Sequence, residues 1–192
     1  TINRLSVSGM TLNEAKDRLK EEAASYLLTI YDRNGEKYHI TAEDIDYAYV
    51  PGEEEQKLLT SQKPYQWINS LFKEHEYTLK TTVTYNKDKL SNALMALSCL
   101  KEENFIEPTD AYIEKNETGF SLIPENPGTH LLFEEVKKEV SLAIEAGENT
   151  VTLSDQAYLA PSVKQDDTTL TDCIATLNRY LDTTITYDIA DN

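Results

Sequence analysis

The chain has 192 residues, 40% of them hydrophobic and 27% charged, a balance that fits one or two ordinary globular domains with a sizeable core. Its formal net charge of -16 is uneven, with 10 basic and 14 acidic residues in 1–80 against 8 and 20 in 81–192. Such a field argues against a nucleic-acid partner, whose affinity rests on Lys and Arg contacts to phosphate, and against anionic lipid surfaces. No apolar run approaches the roughly 20 residues of a membrane span, so this segment is expected to make no direct membrane insertion.

In chain order, Thr11-Leu12-Asn13-Glu14 forms a capping box, followed by Leu12, Ala15, Leu19 and Ala23 at helical spacing. Two β-prone runs, Tyr26–Tyr31 and Lys37–Thr41, are joined by Asp32-Arg33-Asn34-Gly35, whose Asn-Gly pair supplies the positive φ angles of a tight hairpin. Thr41-Ala42-Glu43-Asp44 caps a short helix, and Pro51-Gly52 breaks the chain. A helical stretch then carries Trp67, Ile68, Leu71 and Phe72 on one side. Tyr77, Leu79, Thr81, Val83 and Tyr85 alternate as one face of a strand.

The order then repeats. Asn86 caps a helix bearing Leu90, Ala93, Leu94 and Leu97, and a hairpin is expected at Ala111–Glu114 and Phe120–Ile123. A helix with Leu132, Val136, Val140, Ala143 and Ile144 is stopped by Gly147, and Asn149–Leu153 forms a short strand. A further helix at Thr169–Tyr180 leads to Thr183-Thr184-Ile185-Thr186-Tyr187, which echoes Thr81-Thr82-Val83-Thr84-Tyr85. This helix–hairpin–helix–strand order predicts an α+β fold of two related subdomains, each with helices packed on a small antiparallel sheet. The boundaries expected are 1–80 and 81–192, the second ending at the start of a further unit.

The sequence offers little for catalysis. His39, His75 and His130 are far apart, and no zinc-protease, serine-hydrolase, phosphate-loop or dinucleotide motif is present. No metal site and no cofactor are expected. Cys173 lies on the apolar stripe Leu170, Cys173, Ile174, Leu177 and Leu181, where a thiol packs as a small hydrophobe. Cys99 falls near the opposite side of its helix from Leu90 and Leu94. The aromatic inventory is more suggestive, with 12 Tyr, 1 Trp and 4 Phe. Tyr and Trp combine an apolar face with a polar edge, which suits stacking on sugar rings. Tyr49, Tyr65, Trp67 and Tyr158 are the candidate ligand contacts, and Tyr49 and Tyr158, beside Pro51 and Pro161, are expected to be exposed on loops.

Ser8-Gly9-Met10-Thr11, Glu14-Ala15 and the segment Asp44-Ile45-Asp46 resemble the opening of a peptidoglycan-binding domain family. The resemblance continues through Gln62 and Trp67. It is clearest in Pro108-x-Asp110-Ala111, Gly119-Phe120, Ile123-Pro124-Glu125 and Gly128, and runs on through Tyr158-x-x-Pro161 to Ile185-Thr186-Tyr187-Asp188. This family precedes the catalytic domain in many bacterial L,D-transpeptidases and occurs in vancomycin-resistance W-like proteins. The resemblance implies an extracellular, wall-facing, non-catalytic module whose partners are peptidoglycan and a C-terminal catalytic domain. Its parent would be held by an N-terminal transmembrane segment. Neither cysteine sits in the Ser/Thr-x-Gly-Cys motif of the transpeptidase nucleophile, so no catalytic residue carries over. The rival expectation is a structural stalk with no ligand of its own.

Overall fold

The computed structural model describes residues 12–50, 82–181 and 183. The Thr11 cap, the stretch containing Tyr65 and Trp67, the alternation from Tyr77 to Thr81 and most of the terminal Thr183–Tyr187 phrase lie outside the described residues. The fold is α+β. Its contacts divide it into two compact units, each made of two stretches of chain: Thr1–Leu97 with Glu134–Ser154, and Ser98–Phe133 with Asp155–Asn192. The division is thus discontinuous, where one cut near residue 80 was expected.

In the first unit, helix α1 (Leu12–Ala24) leads to strands β1 (Leu27–Tyr31) and β2 (Lys37–Thr41). β1 is central. It pairs antiparallel with β2, from Leu27↔Thr41 to Tyr31↔Lys37, and parallel with β7 (Thr150–Thr152), from Thr29↔Thr150 to Tyr31↔Thr152. Leu28, Ile30 and Ile40 are almost fully buried, as the period-2 alternation requires. The β1–β2 turn differs from the two-residue Asn-Gly form. Only Gly35 has positive φ, at 82°, and Asp32 organises the loop by accepting from the amides of Asn34 and Glu36 at 2.9 Å each. An aspartate that bonds its own downstream backbone supplies what a second positive-φ residue would have supplied.

A 3-10 turn, Glu43–Ile45, follows, and then β3 (Ala48–Val50), which pairs antiparallel with β4 (Thr82–Thr84). Asn86 caps helix α2 (Lys87–Ala96) by accepting from the amides of Asp88 and Lys89, as expected. The Asn86 amide donates to the Ile45 carbonyl at 2.8 Å, and Lys89 pairs with Asp46 at 2.7 Å. These bonds join α2 to the 3-10 turn where Ile45, Leu90 and Leu94 are buried completely. Tyr26 stacks on Tyr47 with ring centroids 4.1 Å apart, and its hydroxyl donates to the Glu148 carbonyl at 2.6 Å. Burial, reinforced by Tyr47 and Glu148, pushes the Tyr26 hydroxyl far above its ordinary pKa. Helix α3 (Phe133–Glu145) buries Val136, Val140, Ala143 and Ile144, the predicted stripe, while Leu132 precedes the helix and is partly exposed. Glu139 accepts from both the amide and the hydroxyl of Ser154, which ties α3 to the end of β7.

The second unit is built on the hairpin of β5 (Tyr112–Asn116) and β6 (Gly119–Ile123), closed by Glu117 and Thr118. The ladder resumes at the bridge Thr109↔Asn126. Asp110 accepts from the amides of Ser162 and Val163, and the Ala111 amide donates to the Val163 carbonyl, so the 162–163 segment runs beside the start of β5. Helix α4 (Thr168–Leu181) packs on the hairpin, chiefly on β6. Asp167 accepts from the Thr169 amide at its start, and the Thr169 bonds hold that carboxyl below the usual range. Cys173 is exposed, which corrects the expectation that it packs inside. The bonds of Asn178 to the hairpin centre the contact arc near Ile174, and one residue along a helix turns about 100° from that direction. Cys99 lies past the end of α2, in the 3-10 turn Ser98–Leu100.

Two expectations follow. The Thr41 amide (2.8 Å) and hydroxyl (2.7 Å) both donate to Asp44 Oδ2, and these bonds hold the Asp44 carboxyl below the usual aspartate range. A depressed folded pKa gives stabilisation that is complete above the unfolded value and is lost as pH falls through the folded one. Asp44→Asn should therefore destabilise at neutral pH, with the gap to wild type narrowing in urea melts taken progressively into acid. In the second unit, Gly128 has φ of +63°, and a Cβ there would stand 2.3 Å from the Ile106 carbonyl oxygen and 2.7 Å from the Pro108 nitrogen. Gly128→Ala should cost roughly 2–4 kcal/mol in urea unfolding, from left-handed strain plus overpacking against backbone that cannot yield.

Candidate functional site

The aromatic candidates meet different fates. Tyr49 is the middle residue of β3, opposite Val83, and is only 7% exposed in a cluster with Leu19 and Ala23 of α1. Tyr47, just before β3, packs against that cluster too. Tyr158 is 3% exposed. It bridges to Leu131, while Leu132 donates to the Ala157 carbonyl and Leu159 to the His130 carbonyl. The segment before Pro161 is therefore laid against 130–132 as a ribbon. Neither tyrosine presents the exposed face expected of it, because strand pairing places both side chains inward. Tyr65 and Trp67 lie outside the described residues. Of the two described candidates, Tyr49 belongs to the first unit and Tyr158 to the second.

The described residues instead form an open depression at the closed end of the β5–β6 hairpin. The hairpin contributes Asn116, Thr118, Gly119, Phe120 and Ser121, and α4 contributes Asn178 and Leu181. Its geometry follows from the hairpin register. With a two-residue turn, Asn116↔Gly119 is the closing hydrogen-bonded pair, so Lys115↔Phe120 is a non-bonded pair. The amide and carbonyl of Phe120 consequently point to the outer edge of β6. The Asn178 carboxamide meets both, accepting from the Phe120 amide at 2.8 Å and donating to its carbonyl at 2.9 Å. One side chain does here what a neighbouring strand would do. Asn116 orders the turn in a similar way: its Oδ1 accepts from the amide and hydroxyl of Thr118, and its Nδ2 donates to Ser121 Oγ at 3.2 Å.

Gly119 is required by this approach. A Cβ on it would lie 2.7 Å from Asn178 Oδ1 and 3.6 Å from a Leu181 methyl carbon, closing the gap between hairpin and helix. Sequence reading marked Gly119-Phe120 as a motif but gave it no role, since the partner Asn178 is 58 residues away from Phe120. Elsewhere in this unit, His130 stacks on Phe105 at 4.3 Å between centroids and meets Glu107 Oε1 at 2.8 Å. No group of three or more His, Cys, Asp or Glu able to hold a metal occurs among the described residues. No helix among them is long and apolar enough to cross a membrane.

The second unit thus presents a polar depression at the tip of a helix-backed hairpin. The family model described as "Putative peptidoglycan binding domain" matches residues 38–152, more than half of the chain. The chain belongs to this peptidoglycan-binding domain family. None of the curated proteins and none of the solved structures compared with it matches.

Replacing Asn178 by Ala leaves the Phe120 amide and carbonyl without their partner. The loss of such bonds costs about 1–2 kcal/mol locally, so the Phe120 amide should exchange with deuterium roughly tenfold faster. Amides of β1 should be unchanged, which separates a local opening from general unfolding.

Proposed function

We propose that this chain is a non-catalytic, wall-associated module that binds peptidoglycan and sits upstream of an L,D-transpeptidase catalytic domain in an anchored bacterial cell-surface protein. The family match over residues 38–152 is the observation that carries this reading. The transpeptidase context comes from the ordered resemblance of motifs between Ser8 and Asp188. In this reading Tyr65 and Trp67 are aromatic contacts for the wall, while the buried Tyr49 and Tyr158 are packing residues of their own units.

Charge constrains how such binding works. At -16 the chain is repelled by anionic wall polymers, so affinity for peptidoglycan must come from stacking and hydrogen bonds. Salt screens long-range repulsion but leaves short contacts nearly intact. A second reading, a stalk with no ligand, gains from the burial of Tyr49 and Tyr158, which removes two of the four aromatic candidates from the surface.

Co-sedimentation with purified peptidoglycan stripped of teichoic acid separates the two. The binding module should pellet at both low and high salt. Failure to pellet at either salt would refute the binding reading in favour of the stalk.

A further inference from the structure

We propose that the depression at the tip of the β5–β6 hairpin is a subsite for a neutral N-acetylated sugar of the glycan strand. This proposal rests on the peptidoglycan-binding reading and names the part of the polymer that is recognised. None of the seven side chains and backbone positions lining the depression is ionisable, although 27% of the chain is charged. The ligand that suits it carries hydroxyl and amide groups and no formal charge. The glycan backbone meets that description, whereas the stem peptide brings carboxylates into a chain of net charge -16.

The donors are fixed in place before any ligand arrives. Asn116 Nδ2 uses one N–H on Ser121 Oγ and Asn178 Nδ2 uses one on the Phe120 carbonyl, so each carboxamide retains a second N–H. Both carboxamides are held by their own internal bonds, and a donor that is already oriented loses little freedom on binding. The hydroxyls of Thr118 and Ser121 add groups that both donate and accept. Phe120 and Leu181 supply apolar surface for the C–H face of a pyranose ring, the usual complement to amide and hydroxyl contacts. The open depression offers about 340 Å³, at the small end of the roughly 300–1,000 Å³ range of ligand sites and scaled to a single sugar unit rather than an extended polymer.

The test is an amide-shift titration of the whole chain with chitotetraose, a soluble β-1,4 oligomer of N-acetylglucosamine, run beside a free stem tetrapeptide. The expected result is saturable shifts at Gly119, Phe120, Ser121 and the Asn178 side-chain amide with the sugar, and none there with the peptide. Ser121→Arg, which fills the depression with a charged side chain, should weaken that binding at least about tenfold. Thr118→Arg on the exposed turn provides an independent block. Pelleting with whole peptidoglycan, but no chitotetraose shifts at these residues, would overturn the subsite and leave the binding reading standing. Shifts at these residues with the peptide instead would overturn the ligand class. Neither pelleting nor shifts would overturn both.

Discussion

The parallel pairing of β1 with β7 is the constraint on which the arrangement of the chain depends. β1 already pairs with β2 along all five residues, and its other edge would stand open without Thr150–Thr152. An open edge next to Leu28 and Ile30 would expose a row of unpaired amides and carbonyls beside the core. A parallel partner cannot be supplied by a hairpin and has to come from a crossover. Here the chain returns after more than a hundred residues, and α3 returns with the strand. Everything from Ser98 to Phe133 is consequently an excursion between two stretches of one unit.

This explains which features were legible in the sequence. Local signals were read well: the Asn86 cap, the α3 stripe and the β5–β6 hairpin are fixed by residues within a few positions of each other. The first copy of the expected helix–hairpin–helix–strand order lies partly outside the described residues. That order gave no hint that Thr150–Thr152 joins β1, because strand pairing across such a separation leaves no local pattern. The same gap misplaced the tyrosines. Tyr49 beside Pro51 and Tyr158 before Pro161 read as loop residues, yet one pairs within β3–β4 and the other bridges to Leu131. Cys173 was misjudged for a related reason. A helical stripe defines a face only to within a residue's rotation, and the bonds of Asn178 settle which side turns inward.

Carboxylates in the second unit show how an acidic chain uses its charge internally. Asp110 organises the 162–163 segment, Glu125 accepts from the Gln165 amide at 2.7 Å, and Asp167 caps α4. Each carboxylate accepts from backbone amides, and the bonds of Asp110 and Glu125 fix one segment of the chain against another. Acidic residues named in the family-like motifs thus have structural work that accounts for their positions. They need no catalytic role to explain why Asp110 and Glu125 stand where they do.

The depression at the hairpin tip depends on the docking of α4 as much as on the hairpin. Asn178 satisfies the outward groups of Phe120 and also forms part of the lining, so the bond that holds the helix shapes the surface. The family match ends at Thr152, whereas α4 runs from Thr168 to Leu181. The hairpin half of the depression therefore lies within the matched span and the helical half beyond it. A change in α4 could alter the width and polarity of the depression while the hairpin and the mixed sheet stayed intact. The physical basis is the close approach at Gly119, where a missing Cβ leaves room for Asn178 and Leu181: the side chains at 178 and 181 set how closely helix and hairpin approach.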